Sequence, residues 1–349
     1  MIDLNKSGQC KLIEKVIERG ICVVCGACVD SCPYFSYFNG RVLVMDRCDL
    51  EEGRCLQFCP RVADERPHRE TEPRKSDGTA SLGSYRKIFM ARAGDDSILQ
   101  KAQAGGVVSA IIIYALENGF AESAVLTDRG SDLAPAGTLA RNRNEILQNS
   151  GARYSGSAAL ASLNRALKKG ENNLAVVGLP CQIEALSLME QKQNNGVNVK
   201  DSVKLKVGLF CTWALDYRNL NQFLEKKGID KQLEKYEISP PPSQFFRVLT
   251  GKEWQEFPLD DIRPFILKGC SLCKDMTAEC ADISVGTVEG LEGWSTVVVR
   301  SNRAVELVES AIEDKMIECR TLPDKKLKHL QEAALLKKKR GVEALAASF

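Results

Sequence analysis

Fourteen cysteines are spread unevenly along this chain of 349 residues, and seven of them, Cys22, Cys25, Cys28, Cys32, Cys48, Cys55 and Cys59, crowd into one short front segment. A chain of this length with 44% hydrophobic residues builds a core without covalent staples, so metal ligation is a better reading of these thiols than a disulfide framework. Residues 22–33 read CVVCGACVDSCP, a C-x2-C-x2-C-x3-C-P run. Two-residue spacers let three thiolates of one tight loop reach three irons of an iron–sulfur cubane. Gly26 permits the turn, and Pro33 redirects the chain after the fourth thiol. Zinc also accepts C-x2-C pairs, but a structural zinc site asks for two such knuckles, not a triple with a trailing C-P. The usual radical S-adenosylmethionine spacing, C-x3-C-x2-C, is not the spacing of this run.

The same run marks bacterial two-cluster ferredoxins, in which the fourth cysteine serves the other cluster. That crossing assigns Cys22, Cys25, Cys28 and Cys59 to one [4Fe-4S] cluster, and Cys32, Cys48 and Cys55 to a second. The second segment, CDLEEGRCLQFCP over residues 48–60, has no cysteine between Cys48 and Cys55. The place of the fourth ligand is therefore open to a carboxylate such as Asp49, Glu51 or Glu52, to Cys10, to a thiolate from elsewhere, or to no ligand at all in a [3Fe-4S] centre. Between the two segments, residues 34–46 (YFSYFNGRVLVMD) predict a β-hairpin. Aromatic and β-branched residues alternate on either side of Asn39-Gly40, a type I′ turn pair.

The remaining elements must position a second group of thiols. Residues 62–84 are charged, hold two prolines and carry no apolar period, which predicts an exposed connection. Domain boundaries are accordingly set at 1–62 for the front domain, 63–86 for the linker and 87–349 for the larger domain. The larger domain alternates strand-like and helical stretches: a strand at 87–93, a helix over about 106–118, strands at 124–127 and 173–178, and a helix near 157–169. Strands at 203–210, 281–286 and 294–300 follow, and the order predicts a mixed-sheet α/β (α+β) architecture. Residues 324–345 predict a lysine-rich helix with a solvated face. Cys181 and Cys211 each follow an apolar strand, and Cys270 and Cys273 form a C-x2-C knuckle, so the four are candidate ligands of a third cluster. Cys280, Cys319 and Cys10 lack a motif and read as structural. Gly105 and Gly106, in QAGGVVSA, stand where a helix begins, a place whose bare amides and dipole favour a phosphate.

On these residues the sequence resembles the beta subunit of coenzyme F420-reducing hydrogenase and its dehydrogenase relatives. The matching islands are AGGVVSAIIIYALENGF (104–120) with AVLT (124–127), GARYSGS (151–157), VGLPCQIEAL (177–186), GLFC (208–211), KGCSLCKDMTAECADISVG (268–286) and GWSTVVVR (293–300). With its cysteine-rich front, the chain is most similar to ferredoxin-fused electron-input subunits of F420H2 dehydrogenases and to their bacterial relatives; chlorophyll-pathway reductases share the core. The resemblance implies a non-covalent FAD lined by Gly105, Gly106, Ser109, Tyr154 and Ser157, beside a [4Fe-4S] cluster on Cys181, Cys211, Cys270 and Cys273. It implies hydride exchange between FAD and a small-molecule carrier, coenzyme F420 or similar, and single-electron exchange with clusters and with another oxidoreductase subunit or ferredoxin. Two other readings stay open: a non-catalytic electron relay, and a ferredoxin-dependent reductase of an organic substrate.

The rest of the composition narrows the partners. Lys and Arg total 48 against 46 Asp and Glu, a net charge of +2 that offers no global field for nucleic acid or an anionic membrane. The apolar run from Ala102 to Leu116 is shorter than the roughly 20 residues a membrane span needs. The polar start MIDLNKSGQCKLIEK lacks a signal-peptide pattern, and a cytoplasmic location is expected. The two histidines, His68 and His329, stand in the linker and the basic tail and read as surface residues, so no histidine acid–base chemistry is expected and no catalytic side chain is assigned.

Overall fold

The computed structural model describes residues 7–63, 81–128, 134–192, 198–229, 233–238, 244–251 and 253–347. His68 and most of the 62–84 connection lie outside them. The front of the chain holds a short helix, Gly8–Leu12, running into a π-helical turn, Ile13–Ile17, and then the hairpin of β1 (Phe35–Phe38) and β2 (Arg41–Val44). Asn39 and Gly40 both have positive φ, at 44° and 79°, the backbone that the predicted type I′ turn requires. Two four-residue helices, Arg54–Gln57 and Pro60–Ala63, carry Cys55 and follow Cys59.

The rest is built on an eight-stranded mixed sheet of β3 (Lys87–Ala93), β4 (Ser123–Thr127), β5 (Gly137–Ala140), β6 (Leu174–Gly178), β7 (Val203–Leu209), β11 (Ile283–Thr287), β12 (Ser295–Val299) and β13 (Ile317–Arg320). Its order is β13-β3-β12-β11-β7-β6-β4-β5. A separate antiparallel sheet joins β8 (Leu233–Ile238), β9 (Phe245–Thr250) and β10 (Glu253–Pro258). In the large sheet, β4, β6, β7 and β11 run parallel to their neighbours in that run. Every residue of β6 and β12 is buried, which is why β6 reads LAVVG and the second half of β12 VVV, without alternation. Helix Val107–Glu117 buries seven residues, including Ile111, Ile112 and Ile113, against one face; helix Ala159–Lys168 packs Leu160, Leu163 and Leu167 on the other.

Two sequence expectations need correction. The ends of the connection expected to be exposed are buried: Val62 packs in the front core, and Ser81 and Leu82 are buried at its far end. The reason is Arg300, a fully buried guanidinium at the end of β12, whose Nη1 donates to the carbonyls of Leu82 and Ser84 at 2.8 and 2.9 Å and so draws the chain inward. The C-terminal helix Asp324–Ala346 exists, but not all of it is solvated: Ala334, Lys337 and Gly341, three and four residues apart, form one buried face.

The front segment shares a core with the larger lobe. Val23, Cys25, Ala27 and Phe58 pack with Leu160, Leu163, Val176 and Leu186. Polar groups fix the register: Leu160 N–H donates to the Cys25 carbonyl at 3.2 Å, and the buried Asn164 amide donates to the carbonyls of Ala27 and Val29 at 3.1 and 2.7 Å. Asn164→Leu strands both carbonyls in the interior, and we expect it to lower the free energy of unfolding by about 1–3 kcal/mol, read as a fall in urea midpoint. An unchanged midpoint would show that the amide does not tie the front loop down.

Candidate redox site

The carboxyl ends of adjacent parallel strands are where an open α/β sheet places ligands. Strand β6 ends at Gly178 and turns through Pro180 into helix Pro180–Glu190, which puts Cys181 in its first turn. The neighbouring β7 ends at Leu209, and Cys211 follows, with its N–H donating to the Met276 carbonyl at 2.9 Å. The knuckle of Cys270 and Cys273 lies against this end: Ala214 N–H donates to Cys270 Sγ at 3.4 Å, and Leu267 N–H donates to the Ala214 carbonyl at 2.9 Å.

The electrostatics of the thiols sort them into three sets. Burial is the main cause that pushes Cys22, Cys25, Cys28 and Cys59 upward, Cys25 to about 12, and repulsion from neighbouring thiols of the set adds to the rise of Cys25, Cys28 and Cys59. Cys55, pushed by burial to about 11, feels Cys32 and Cys48. Cys181, Cys211 and Cys270 are raised chiefly by burial, Cys211 to about 12, and the sulfur of Cys273 adds to the rise of all three. The sets also adjoin one another. Cys181 packs against the core that holds Cys25, and Cys22, Cys28, Cys32 and Cys59 pack against the core that holds Cys55.

A cavity of about 30 Å³ lies within the first set, lined by Cys22, Cys25, Cys28, Cys55 and Cys59 with Leu12 and Val16. Among the described residues, no three His, Cys, Asp or Glu side chains converge on a single-ion site. A lone zinc draws its sulfurs to about 2.3 Å from one point. Burial keeps these groups as neutral thiols in the absence of a cation, and the donor set, all sulfur and nearly all apolar in its surroundings, is chemically suited to an iron–sulfide core.

Two glycines allow the approach of the sets. Gly26, at φ 85°, leaves no room for a Cβ, which would come within 2.9 Å of the Ala158 backbone. At Gly269 a Cβ would stand 2.1 Å from the Ile21 carbonyl, so glycine lets the knuckle touch the front loop. Arg61, buried just after Cys59, spans the same junction: Nη1 donates to the Gly269 carbonyl at 3.3 Å, Nη2 is 3.7 Å from Glu184, and its charge lowers the thiols of Cys22, Cys25 and Cys270. No motif announces Arg61, since an arginine after C-P has no periodic or spacing signal.

At the second set, buried Gln9 does the positioning. Its Oε1 accepts from Cys48 N–H at 2.8 Å and its Nε2 donates to the Asp46 carbonyl at 2.7 Å. Cys10 stands next to it on the helix that packs on residues 50–53, with Gly8 N–H donating to the Leu50 carbonyl at 2.8 Å. Asp49, Glu51 and Glu52 are exposed on the same segment. Cys280 sits in a small apolar cluster with Ile183, Ala278 and Ala281, whereas Cys319 is exposed on the edge strand β13.

The five residues expected at a flavin fall at one end of the sheet but in different states of engagement. Gly105 N–H donates to Ser295 Oγ at 3.1 Å, so its amide is not bare; its glycine character instead allows close approach to the Ala91 carbonyl. Gly106, at φ 70°, is the N-cap of helix Val107–Glu117 and brings no capping side chain. Ser109 Oγ lies 2.9 Å from Ser150 Oγ. Gln103 Oε1, just before the glycines, is buried without a hydrogen-bond partner, and Arg153 donates to the carbonyls of Asp128 and Ala152 near the end of β4. Ser157 is held by Thr127 Oγ1 at 3.0 Å and by Gln182 Nε2, which donates to its carbonyl at 2.8 Å and thereby ties this loop to the helix of Cys181. Tyr154 accepts from Ile238 N–H at 3.1 Å and packs under the smaller sheet. An uncapped helix start and a nearby guanidinium fit the diphosphate of a cofactor, and the orphaned Gln103 oxygen calls for a donor such as a cofactor hydroxyl. His329 pairs with Glu289 on the surface.

Two family descriptions match the chain: coenzyme F420 hydrogenase/dehydrogenase beta subunit N-term over residues 88–164, and the corresponding C terminus over residues 171–325. The coenzyme F420 hydrogenase beta subunit of Methanothermobacter thermautotrophicus is 31% identical over 76% of this chain and 96% of its own length. The chain belongs to the coenzyme F420 hydrogenase/dehydrogenase beta-subunit family. The coenzyme F420-dependent sulfite reductase of Methanocaldococcus jannaschii is 30% identical over 87% of this chain, which spans about half, 48%, of that relative. A subunit of the F420H2 dehydrogenase of Methanosarcina mazei is 27% identical over 83% of this chain and 82% of its own. A chain of the F420-reducing [NiFe] hydrogenase complex from Methanosarcina barkeri superposes with a TM-score of 0.71 at 29% identity, covering 77% of this chain and 94% of that one. These relatives are oxidoreductases by name, and both family matches begin after the front cysteine segment. Among the described residues, no helix is long and apolar enough to cross a membrane.

The junction makes a prediction that does not depend on cofactor identity. Gly269→Ala must displace either the knuckle or the front loop, since the obstructing atom is backbone. The expected cost is about 1–3 kcal/mol of stability, measured by urea unfolding. A variant as stable as the parent would mean that the two segments are not in contact.

Proposed function

We propose that this chain is the electron-input subunit of an oxidoreductase assembly. It binds reduced coenzyme F420 or a similar soluble hydride carrier, holds FAD and [4Fe-4S] clusters, and exchanges single electrons with a partner oxidoreductase subunit or ferredoxin. What supports this reading is the gathering of Cys181, Cys211 and the Cys270–Cys273 knuckle at the carboxyl ends of β6 and β7, with Cys181 packed on the core of Cys25 and the other front thiols packed around Cys55. When bound, the flavin supplies conversion between hydride and single electrons, and the clusters supply one-electron storage.

Each part of the chain then has a task. The start of helix Val107–Glu117, from Gly106 to Ser109, binds the diphosphate, with Arg153 at its side; Gln103 accepts from a cofactor hydroxyl, and Gly105 sets the close approach of this loop to β3. Tyr154 and Ser157 shape the loop beneath the flavin, and Gln182 keeps that loop at a fixed distance from Cys181. Cys181, Cys211, Cys270 and Cys273 hold the cluster nearest the flavin, Cys22, Cys25, Cys28 and Cys59 the next, and Cys32, Cys48 and Cys55 the outermost. Residues 1–62 act as a dicluster ferredoxin-like unit and 87–349 as the flavin and cluster unit, pressed together at Arg61 and Gly269. The exposed Leu43, Val44, Met45 and Leu50 beside Cys48 supply an apolar surface on which a redox partner docks.

Anaerobic cofactor analysis tests this reading: flavin, iron and sulfide per chain, with electron paramagnetic resonance of the reduced protein. We expect one FAD and more iron than one cubane accounts for, and reduction of a viologen dye with reduced coenzyme F420. Gly106→Val, which forces a side chain into the αL N-cap, should lower flavin content at least tenfold with iron retained. Full iron with no flavin in the parent protein would leave only a relay, and turnover with reduced ferredoxin alone would make the chain a reductase of another substrate.

A further inference from the structure

We propose that Lys337 is the buried counter-charge of the third thiol set, and that its ammonium raises the reduction potential of the cluster held there. The proposal rests on the reading of Cys181, Cys211, Cys270 and Cys273 as cluster ligands. It starts from a contrast within three consecutive lysines of the C-terminal helix. Lys339 is exposed and Lys338 pairs with Glu279 at 2.7 Å, but Lys337 is only 4% exposed. Burying an ammonium is costly unless an opposite charge meets it.

The helix is shaped to deliver that charge. Ala334, Lys337 and Gly341 are its buried residues, all on one face. At Gly341 a Cβ would come within 2.9 Å of the Cys273 carbonyl and of the Lys274 side chain, so glycine lets the helix lie directly on the knuckle. One turn earlier, Lys337 Nζ donates to the Cys211 carbonyl at 2.6 Å. The charges that act on it are the sulfurs of Cys211, Cys273 and Cys270 and the carboxylate of Asp275. That carboxylate is already engaged, since its oxygens accept from the N–H groups of Thr277 and Glu279 at 2.9 and 2.8 Å. The carbonyl of Cys211 satisfies one donor but brings no full charge. The Asp275 carboxylate keeps its charge while it accepts these bonds, so it and the ligated sulfurs together offset the desolvation of the lysine.

The redox consequence follows from charge alone. Reduction adds one electron to a cluster that is already an anion; no bond forms or breaks, and the electron comes from the reduced flavin in turnover or from dithionite in a titration. A fixed positive charge in the same low-dielectric pocket stabilises the more negative state and so raises the potential. Charge near the sulfurs is one of the levers by which a protein sets a cluster's potential.

The test is a dithionite redox titration of the full-length, anaerobically reconstituted protein, followed by electron paramagnetic resonance, with iron and sulfide measured on each sample. The signal lost in Cys211→Ala marks the third cluster. In Lys337→Gln, with iron and sulfide unchanged, we expect the midpoint of that signal to move to a more negative potential while the other signals stay in place; Lys337→Arg should remain near the parent value. A parent-like midpoint in fully loaded Lys337→Gln overturns the proposal, and so does an equal shift in the Gln and Arg variants. Loss of the third cluster's iron from both Lys337→Gln and Lys337→Met overturns it in favour of a purely structural lysine. If Cys211→Ala loses neither iron nor any signal, it is the ligand reading that fails, and the proposal falls with it.

Discussion

Thiolates repel one another, and a dry protein interior neither screens that repulsion nor hydrates the charge, so a fold that gathers many sulfurs must also supply positive charge and close the surrounding space. Most of the architecture answers this requirement. Apolar residues such as Leu12, Val16, Phe58 and Val23 seal the sulfurs of the front segment from water. The two buried cations in this region, Arg61 and Lys337, come from opposite ends of the chain and converge on the sulfurs, Arg61 at the junction of the first and third sets and Lys337 against the third.

The sheet supplies the geometry. Parallel strands deliver successive loops to one edge, so chain segments far apart in sequence release their functional residues at the same place. Thr127 at the end of β4, Cys181 after β6 and Cys211 after β7 arrive there through mutually parallel strands. Gln182 then joins two loops with one side chain: it stands beside Cys181 in the helix, and its amide holds the loop of Ser157. The glycines at 26, 269 and 341 serve the same end from outside the sheet, since each removes a Cβ at a point where backbone must touch backbone.

How much of this was legible in the sequence follows from the range of each interaction. The C-x2-C-x2-C-x3-C-P run, the Asn39-Gly40 turn and the apolar strands β4, β6, β7 and β12 are governed by neighbours within a few residues, and their spacing announces them. The burial of Leu82 was not legible, because it depends on Arg300, which is far away in the chain and inside the opposite end of the sheet. Strands β5, β8, β9, β10 and β13 carry weak patterns because they lie at sheet edges or in a small exposed sheet, where polar residues are tolerated on both faces. The lysine-rich helix misled for the same reason: a solvated face and a docked face differ there by a single lysine, an alanine and a glycine.

The family membership and the mixed sheet could be read from the sequence, since motif spacing and apolar periodicity are local. Only the tertiary structure decided how the three thiol sets adjoin, which residues brace them and which of many cations is placed in the interior. Contacts such as Arg61 with Gly269 or Lys337 with Cys211 join residues more than a hundred positions apart. Nothing in the flanking sequence of either partner records such a meeting, because the free energy that selects it belongs to the assembled core.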